Sequence, residues 1–400
     1  MIATGVNGEA IHLQEYADTI VDLEDGDLAY IQRKLAKQLT LTRPLYGGGY
    51  LLNPNQFAGV VALPSGRRIE CRPKVPVRNF FVMLAIAFDL EPSFLQETTT
   101  FQEIDQIFEF VISYFADLVD DQIRRGLYRT YVEREENLAA VRGRIAIAED
   151  IRQNSILRQR TYCQFTEFTW DNPDNQIVRQ VAHMVGGWAQ SPSLRFRLHQ
   201  IDRRMVEVTP VAHAASVIDR FNYHRLNAEY RPIHHMCRLF LEGASLSEDH
   251  GRFDFRTFLF DMNSLFESFV TKLLSGRAPV GVAIEAQSQH RLDFEQQVVI
   301  KPDVIAFKDG AVHRVIDCKY KRLTGTDNKN HDLYQVHAYC TALRCQEGVL
   351  IYPRHENPFD STFHIRNTGI AVRQVSIDLG VAPELFATHC AVFADTLFSD

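Results

Sequence analysis

The segment KPDVIAFKDGAVHRVIDCKYK, residues 301–321, limits the fold of this chain more than any other stretch. It has two runs rich in β-branched and apolar residues on either side of a Lys-Asp-Gly turn, which is typical of a β-hairpin. Strands that enter a protein core are expected to be apolar, yet Asp303 and Asp317 lie inside these two runs. The two carboxylates therefore need a structural or chemical reason for their position.

The turn decides which face of the hairpin carries these side chains. A three-residue loop at 308–310 would pair Phe307 with Ala311 and place Asp303 and Asp317 on the same face, because side chains alternate along strands. Lys319 follows Asp317 by two residues and shares that face. A two-residue loop would place the aspartates on opposite faces. We expect the three-residue loop, so that two carboxylates and one ammonium group converge.

Such a group of charges has a chemical use. Two neighbouring carboxylates repel each other unless a cation bridges them, and hard oxygen ligands suit Mg²⁺, for which Mn²⁺ can substitute. A bound divalent ion lowers the pKa of a water molecule and stabilises charge on a phosphate under attack. Lys319 could orient that water or bind the phosphate, and Lys321 could partly replace it. A surface hairpin with a salt bridge is the alternative interpretation.

Two helical segments flank the hairpin. The pattern Pro-Asp followed by Asp-x-Lys resembles the PD-(D/E)xK nuclease motif, and Gln335 and Tyr339 share one helical face in DLYQVHAYC downstream. That arrangement resembles the RecB-like branch of the superfamily, in which these residues lie near the DNA backbone and the metal. Upstream, Glu267 interrupts an apolar stripe in FLFDMNSLFESFVTKLL, which is expensive for a charged residue without a partner. It is either an additional carboxylate of the site, as the superfamily often has on its first helix, or a solvated flank residue.

The order of predicted elements indicates two regions with a boundary near residue 230. Residues 1–230 combine short β-rich runs with long helices, which predicts an α+β region with a small sheet or barrel. From residue 231 onward the pattern is helix, three-stranded meander, helix and strand, which predicts an α/β domain.

The composition excludes several classes of protein. No apolar run reaches the roughly 18 residues of a membrane span, and the N-terminal residues lack the regions of a signal peptide. Seven scattered cysteines without a C-x-x-C pair fit a reducing cytoplasm. With a net charge of −7, nucleic-acid contacts would depend on local clusters. Those clusters are the arginines between Arg124 and Arg144, together with Lys319, Lys321 and Arg322.

Seven ordered stretches carry a family resemblance: ECRPKVP, RRGLYRTYVEREENLAAVRGRI, CQFTEFTWDNPDNQIVRQ, FLFDMNSLFESF, KPDVI, IDCKYK and DLYQVHAY. In this order they resemble the McrC family, the nuclease subunits of methylcytosine-dependent McrBC restriction systems. The most specific parts are Arg-Gly-Arg at 142–144 and DNPDN at 171–175.

The resemblance implies a Mg²⁺-dependent DNA endonuclease that works with a hexameric McrB-like AAA+ GTPase on modified double-stranded DNA. Residues 1–230 would dock to the ring and stimulate its NTP hydrolysis, and residues 231–400 would form a PD-(D/E)xK endonuclease domain, through which two copies could dimerise. The chain has no Walker A sequence, which agrees with hydrolysis in the partner.

The family motifs also imply the composition of the site. The metal ligands would be Asp303, Asp317, Glu267 and the backbone carbonyl of Cys318. The remaining catalytic residues would be Lys319, Gln335 and Tyr339. The Cys318 side chain alternates away from the site and should be an inert core thiol.

Two other functions stay open on sequence grounds. The chain could be an autonomous RecB-like repair nuclease, although its large N-terminal region without a motor argues against this. It could also be mainly an activator of an NTPase ring, although the complete set of Asp303, Asp317 and Lys319 argues against a nuclease without activity.

Overall fold

The computed structural model describes residues 10–44, 46–90, 104–156, 159–244, 248–249, 252–253, 257–321, 327–354 and 358–399. The chain divides into two compact units. Unit 1 contains the described parts of residues 1–108 and 243–400, and unit 2 contains residues 109–242. Within the described parts, no helix has both the length and the apolar character that a bilayer span requires.

The elements follow one another in chain order. The strands are β1 (Ile11–Gln14), β2 (Thr19–Val21), β3 (Thr40–Thr42), β4 (Tyr50–Asn53), β5 (Phe57–Ala62), β6 (Arg68–Arg72), β7 (Thr130–Leu138), β8 (Arg144–Ile145), β9 (Thr161–Thr169), β10 (Glu248–Asp249), β11 (Arg252–Phe253), β12 (Thr257–Asp261), β13 (Val282–Ala286), β14 (His290–Arg291), β15 (Val299–Ile300), β16 (Val304–Lys308), β17 (Ala311–Cys318), β18 (Glu347–Pro353), β19 (Asp360–His364) and β20 (Ala371–Ile377). The helices are α1 (Asp25–Lys34), α2 (Val77–Ala87), α3 (Ile104–Arg125), α4 (Ile147–Asn154), α5 (Pro173–Gly186), α6 (Pro192–Arg204), α7 (Tyr230–Ala244), α8 (Met262–Arg277), α9 (Asp327–Leu343) and α10 (Pro383–Phe398), with a 3₁₀ helix at Ala215–Arg220.

The structural division differs from the predicted division near residue 230. The reason is β12, which pairs antiparallel with β5 along its whole length, so that Asp261 lies opposite Phe57. Strand β12, which follows unit 2 in the sequence, thereby joins the sheet of β5, which precedes unit 2. Contacts of this kind cannot be inferred from the local pattern, and the N-terminal sheet consequently belongs to the same compact unit as residues 243–400.

Two small sheets form the N-terminal part of unit 1. One has the order β1-β6-β5-β12, with β1 parallel to β6, and the other has the order β2-β4-β3. The predicted small sheet is therefore present as two sheets with strands from distant parts of the chain. Their shared core includes Leu13, Ile31, Leu52 and Ile69, all of which are buried. Burial of such side chains is the main driving force for this part of the fold.

A six-stranded mixed sheet forms the C-terminal part of unit 1, in the order β13-β16-β17-β18-β20-β19. The central pairs β17–β18 and β18–β20 are parallel, and the outer pairs are antiparallel. Helix α9 connects β17 to the parallel strand β18, as a βαβ crossover requires. The predicted meander, helix and strand are present, and the structure adds the edge strand β19 and the short ribbon β14–β15.

The turn of the β16–β17 hairpin differs from the prediction. Lys308 pairs with Ala311, so the loop has only two residues, and both adopt positive φ angles of 52° at Asp309 and 78° at Gly310. Positive φ at both central positions is the geometry of a type I′ turn, which matches the twist of the strands. The prediction of a three-residue loop was wrong.

A β-bulge restores the register that the shorter loop would have lost. Phe307 pairs with Val312, but Ala306 pairs with Arg314, so His313 is an extra residue in β17. One additional residue reverses the alternation of side chains beyond it. Beyond the bulge Val304 pairs with Ile316, which brings Asp303 opposite Asp317. The predicted common face of the two carboxylates is confirmed, for a different reason.

Helix α9 covers one face of the large sheet. Val336 and Cys340 of α9 pack in one buried cluster with Val315, Leu350 and Tyr352. Asp317 lies two residues after Val315 and therefore shares that face, because the strand side chains alternate. Cys318 lies on the opposite face and is buried.

The DNPDN segment organises unit 2, which contains the three-stranded sheet β7-β9-β8. Asn172 accepts a hydrogen bond from the backbone N–H of Asn175 at 3.1 Å and caps α5, with Pro173 in the first turn. The buried Asn175 amide donates to the backbone oxygens of Tyr128 and Trp170 at 2.8 and 2.7 Å. The segment thus has a structural role, since it satisfies backbone groups that would otherwise be buried without partners.

The hairpin turn gives a first prediction. Gly310→Ala should destabilise the protein by about 1–2 kcal/mol, because an alanine in the left-handed conformation brings its Cβ too close to the backbone. Gly276→Ala is the matched control, since Gly276 lies in α8 without a positive φ and with open space around its Cα. This control should stabilise the protein by up to about 1 kcal/mol. Denaturant unfolding measures both values, and equal effects would contradict the assigned turn.

Candidate active site

The centre of the candidate site is the pair of carboxylates at the ends of β16 and β17. Asp317 is 1% exposed, and Asp303 is half-buried opposite it. The Asp303 Oδ2 atom accepts a hydrogen bond from the backbone N–H of Cys318 at 2.8 Å. The two carboxyl groups are close enough for the charge of Asp303 to raise the pKa of Asp317. The backbone contact fixes Asp303 against the partner strand.

The electrostatics of this pair are unfavourable without an additional cation. Burial, followed by the charge of Glu267, raises the pKa of Asp303 to about 6. Burial, followed by the charge of Asp303, raises the pKa of Asp317 to about 7. Both carboxylates are therefore harder to ionise in the folded protein than in the unfolded chain.

Lys319 lies beside the pair, as the sequence predicts. Its Nζ atom is 2.7 Å from Asp317 Oδ2. Burial alone would lower the pKa of Lys319, but the charges of Asp317 and Asp303 raise it above its ordinary value. The Lys319 side chain therefore remains an ammonium group at neutral pH.

Lys321 differs from the expectation that it could replace Lys319. Its Nζ atom donates a hydrogen bond to Asp332 Oδ1 at 2.8 Å. Asp332 is 1% exposed, and its other oxygen accepts a hydrogen bond from the hydroxyl of Tyr352 at 2.6 Å. Because Lys321 is held by this buried carboxylate of α9, its ammonium group is already paired. Arg322 lies outside the described residues.

The structure also brings the predicted helical residues to the site. Gln335 Nε2 donates to the hydroxyl of Tyr339 at 2.6 Å, which agrees with their predicted shared face on α9. Burial raises the pKa of Tyr339, and the charges of Asp317 and Lys319 also influence it. These side chains therefore lie near the carboxylate pair.

Glu267 contributes to the charge of the same site from α8. It is half-buried, and burial together with the charge of Asp317 raises its pKa, while Lys319 partly offsets this effect. Glu267 is therefore partly shielded from solvent and lies close enough to Asp317 and Lys319 for their charges to affect its pKa. Whether Glu267 is a metal ligand remains a prediction.

Asp332 was missed by the sequence interpretation. It is a buried carboxylate whose charge contributes to the raised pKa of Asp317. The available signal was its spacing, since Asp332 precedes Gln335 by three residues and must lie on the same side of α9. An aspartate near the start of a helix, however, is usually explained by capping or by the helix dipole, which hid this role.

The two cysteines next to the site are core residues. Cys318 and Cys340 are 1% and 0% exposed. Burial raises the pKa of both thiols, with a hydrogen bond to Cys345 as the larger cause at Cys340. The prediction that the Cys318 thiol is buried and protonated is confirmed.

The donor set fits a divalent cation that keeps part of its hydration shell. Asp317 Oδ2 is buried and, apart from its ion pair with Lys319, has no hydrogen-bond partner of good geometry in the described structure. Within the described ranges, no three or more His, Cys, Asp or Glu side chains form a ready cage for a metal. Mg²⁺ is commonly held by one or two carboxylates and several waters, so Asp303 and Asp317 are sufficient donors.

The chain is similar to known proteins. A family model described as McrBC 5-methylcytosine restriction system component matches residues 52–353. The curated Type IV methyl-directed restriction enzyme EcoKMcrBC of Escherichia coli (strain K12) is 20% identical in an alignment of 328 residues. The match covers 76% of this chain and 94% of that relative.

Two solved structures are also similar. A chain of the refined half-complex from the tetradecameric assembly of Thermococcus gammatolerans McrB AAA+ hexamers with bound McrC aligns with a TM-score of 0.58 and 18% identity, over 97% of this chain and 100% of that chain. This similarity shows a shared mixed α/β fold. A chain of the Thermococcus gammatolerans McrBC complex aligns with a TM-score of 0.42 and 20% identity, over 68% of this chain and 88% of that chain.

The raised pKa values predict an unusual stabilising mutation. The folded protein holds protons on Asp303 and Asp317 that the unfolded chain has lost, so stability should fall as the pH rises from about 4 to about 7. Asp303→Asn removes one of the repelling charges and can still accept from Cys318. In EDTA at pH 8 it should raise the melting temperature by about 2–4 °C.

The control for this measurement is Asp309→Asn, which removes one charge from the exposed turn of the same hairpin and tolerates its positive φ. It should leave the melting temperature unchanged. At pH 4 the difference between wild type and Asp303→Asn should disappear. A lower melting temperature for Asp303→Asn at pH 8 would show that the two carboxylates do not repel each other.

Proposed function

The chain belongs to the McrBC 5-methylcytosine restriction system component family, and on this basis we propose that it is a Mg²⁺-dependent DNA endonuclease subunit with a PD-(D/E)xK nuclease centre. The observation that carries this proposal is the buried Asp317 carboxylate with the half-buried Asp303 opposite it and the Lys319 ammonium group 2.7 Å from Asp317 Oδ2. A structural salt bridge would need one carboxylate, whereas this arrangement places two beside one ammonium group.

The carboxylates would hold the metal. Asp303 and Asp317 provide the donors, with the backbone carbonyl of Cys318 and the Glu267 carboxylate as further proposed ligands. When bound, Mg²⁺ or Mn²⁺ supplies positive charge for the phosphate and lowers the pKa of a coordinated water. The hydrogen bond from the Cys318 N–H keeps Asp303 oriented in the absence of substrate.

Lys319 and Tyr339 would act as donors toward the substrate. Because Lys319 remains protonated beside Asp317, it is suited to hold the attacking water or a phosphate oxygen and is unsuited to be the general base. Tyr339 also remains protonated, and Gln335 donates to its oxygen, so the phenol proton is free to point toward a phosphate. Preorganised donors of this kind stabilise charge that develops in the transition state.

Asp332 would position residues of the site without contacting the substrate. It holds Lys321 and Tyr352, and thereby ties the segment after β17 to α9 and to β18. Its role is to keep Gln335 and Tyr339 of the same helix at a fixed distance from the carboxylate pair. We therefore assign it as a positioning residue.

The proposed function includes a partner that hydrolyses NTP. The solved relative contains McrB AAA+ hexamers with bound McrC, and we propose that this chain likewise docks to a hexameric GTPase and stimulates its NTP hydrolysis. The proposed docking region is the N-terminal part, residues 1–230. The substrate of the assembled nuclease would be modified double-stranded DNA in the cytoplasm. Two copies of the nuclease centre would meet to cut both strands.

The arginines that could have bound DNA independently are largely engaged within unit 2. Four of the six arginines between Arg124 and Arg144 pair with a carboxylate of that unit: Arg124 with Asp121, Arg125 with Glu229, Arg134 with Asp171 and Arg142 with Glu167. Arg129 stacks on the rings of Phe168 and Trp170 at 4.6 and 4.4 Å. With a net charge of −7 and these arginines engaged in contacts within unit 2, the chain has little capacity to neutralise phosphates by itself.

Replacement of the central residues should separate chemistry from assembly. Asp317→Ala should abolish DNA cleavage by the complete assembly, and Lys319→Ala should slow it by at least about 100-fold, while both variants still bind the partner. Cys318→Ala is the control, because its side chain lies in the core and takes no part in the reaction. It should lose some stability but cut at the wild-type rate per folded molecule. Undiminished cleavage by Asp317→Ala would refute the site.

Dependence on the partner gives a second test of the proposal. The purified chain with Mg²⁺ should bind duplex DNA weakly at physiological salt and cut plasmid little, because it makes few phosphate contacts. Addition of the AAA+ partner and nucleotide should produce cleavage. Efficient linearisation of plasmid by the chain alone would favour an autonomous repair nuclease.

A further inference from the structure

A buried glutamate in the N-terminal sheet contacts the segment that carries Lys319. Glu15 is 0% exposed and directly follows β1, where its backbone N–H donates to the oxygen of Arg72 at 3.0 Å. Its Oε2 atom accepts hydrogen bonds from the Lys74 backbone N–H at 3.0 Å and from the Tyr320 hydroxyl at 3.1 Å. Burial of a carboxylate is unfavourable, so a position of this kind calls for an explanation.

Tyr320 connects this glutamate to two residues of the candidate site. It is 7% exposed and directly follows Lys319 in the chain. Its ring packs against Phe266 with ring centroids 5.7 Å apart, and Phe266 directly precedes Glu267. Tyr320 is therefore adjacent to Lys319 in the chain and packs against Phe266, the residue adjacent to Glu267.

The segment that Tyr320 anchors has left the regular strand. Strand β17 ends at Cys318, after which Lys319 N–H still donates to the oxygen of Ile351 at 2.9 Å. Lys319 and Lys321 are held through their ammonium groups by Asp317 and Asp332. The hydroxyl of Tyr320 is bound by Glu15, so three consecutive side chains are each fixed by a different carboxylate.

We propose that Glu15 is a positioning residue of the nuclease centre, which holds Lys319 in place through the hydroxyl of Tyr320. This inference rests on the proposed nuclease function. Glu15 lies more than 300 positions before Tyr320 in the sequence, so the N-terminal sheet would be a working part of the centre. The buried position of Glu15 is then explained by the two hydrogen bonds that its Oε2 atom accepts, from the Lys74 N–H and from the Tyr320 hydroxyl.

The test compares variants that keep packing but change this hydrogen bond. Tyr320→Phe retains the ring against Phe266 and removes the hydroxyl. Glu15→Ala removes the acceptor, whereas Glu15→Gln retains an amide oxygen that can accept from Tyr320 and from Lys74. Tyr230→Phe is the matched control, because it removes a buried hydroxyl of unit 2 that donates to Asn175 at 2.6 Å.

The experiment measures the maximal rate of single-turnover DNA cleavage by the complete assembly. It also measures the DNA concentration and the Mg²⁺ concentration at which the rate is half-maximal. Tyr320→Phe and Glu15→Ala should each lower the maximal rate about tenfold and leave both half-maximal concentrations unchanged, since Lys319 is displaced while the carboxylates are not. The double variant should be no slower than either single variant, because both remove one interaction. Glu15→Gln should regain most of the rate, and Tyr230→Phe should cut at the wild-type rate.

Melting temperatures of all variants identify loss of folding. If Tyr320→Phe does not fold, the comparison of Glu15→Ala with Glu15→Gln decides, and equal rates for these two overturn the inference. A folded Tyr320→Phe variant with the wild-type rate also overturns it. If the wild-type assembly cuts DNA and Asp317→Ala does not, the nuclease proposal stands whatever the Glu15 variants show. If neither cuts, the nuclease proposal itself fails.

Discussion

Repulsion between a buried and a half-buried carboxylate is the constraint on which the architecture around the candidate site depends. Asp303 and Asp317 face each other at the end of a hairpin, where burial and mutual repulsion oppose their ionisation. The surrounding structure reduces this unfavourable energy with a backbone N–H from Cys318 and an ammonium group from Lys319. The ammonium group contacts the buried Oδ2 atom of Asp317 at 2.7 Å, and one cation stands against two neighbouring carboxylates. A bound divalent cation, as proposed here, would relieve the remaining repulsion.

The sequence predicted the facing carboxylates through the alternation of strand side chains. It could not predict the loop length and the bulge that produce this arrangement, because two-residue and three-residue turns are both common in hairpins and a bulge leaves no clear local signal. The structure has a two-residue turn, and the extra residue His313 in β17 compensates for it. The shorter turn and the extra residue each reverse which face a side chain points to, so together they leave Asp303 and Asp317 on the same face. The helical spacing of Gln335 and Tyr339 was easier to predict, since a helix has one dominant geometry.

Long-range pairing accounts for most of what the sequence could not reveal. The pairing of β12 with β5 joins segments about 200 residues apart, which the pattern of local elements cannot indicate. The commitment of Lys321 to Asp332 and the contact of Glu15 with Tyr320 are of the same kind. In contrast, the DNPDN segment is one of the stretches on which the family resemblance rests, yet its side chains satisfy buried backbone groups of unit 2. A stretch that carries a family resemblance therefore need not take part in the chemistry.

The central claim is that the carboxylate pair of Asp303 and Asp317 is a divalent-cation site. Crystals of the protein soaked with Mn²⁺ and measured at the manganese absorption edge test this claim most directly. The anomalous difference map should contain a peak about 2.1 Å from one oxygen each of Asp303 and Asp317, and Asp317→Asn crystals should lack it. A wild-type map without a peak between these two carboxylates, at Mn²⁺ concentrations that support cleavage, would contradict the account.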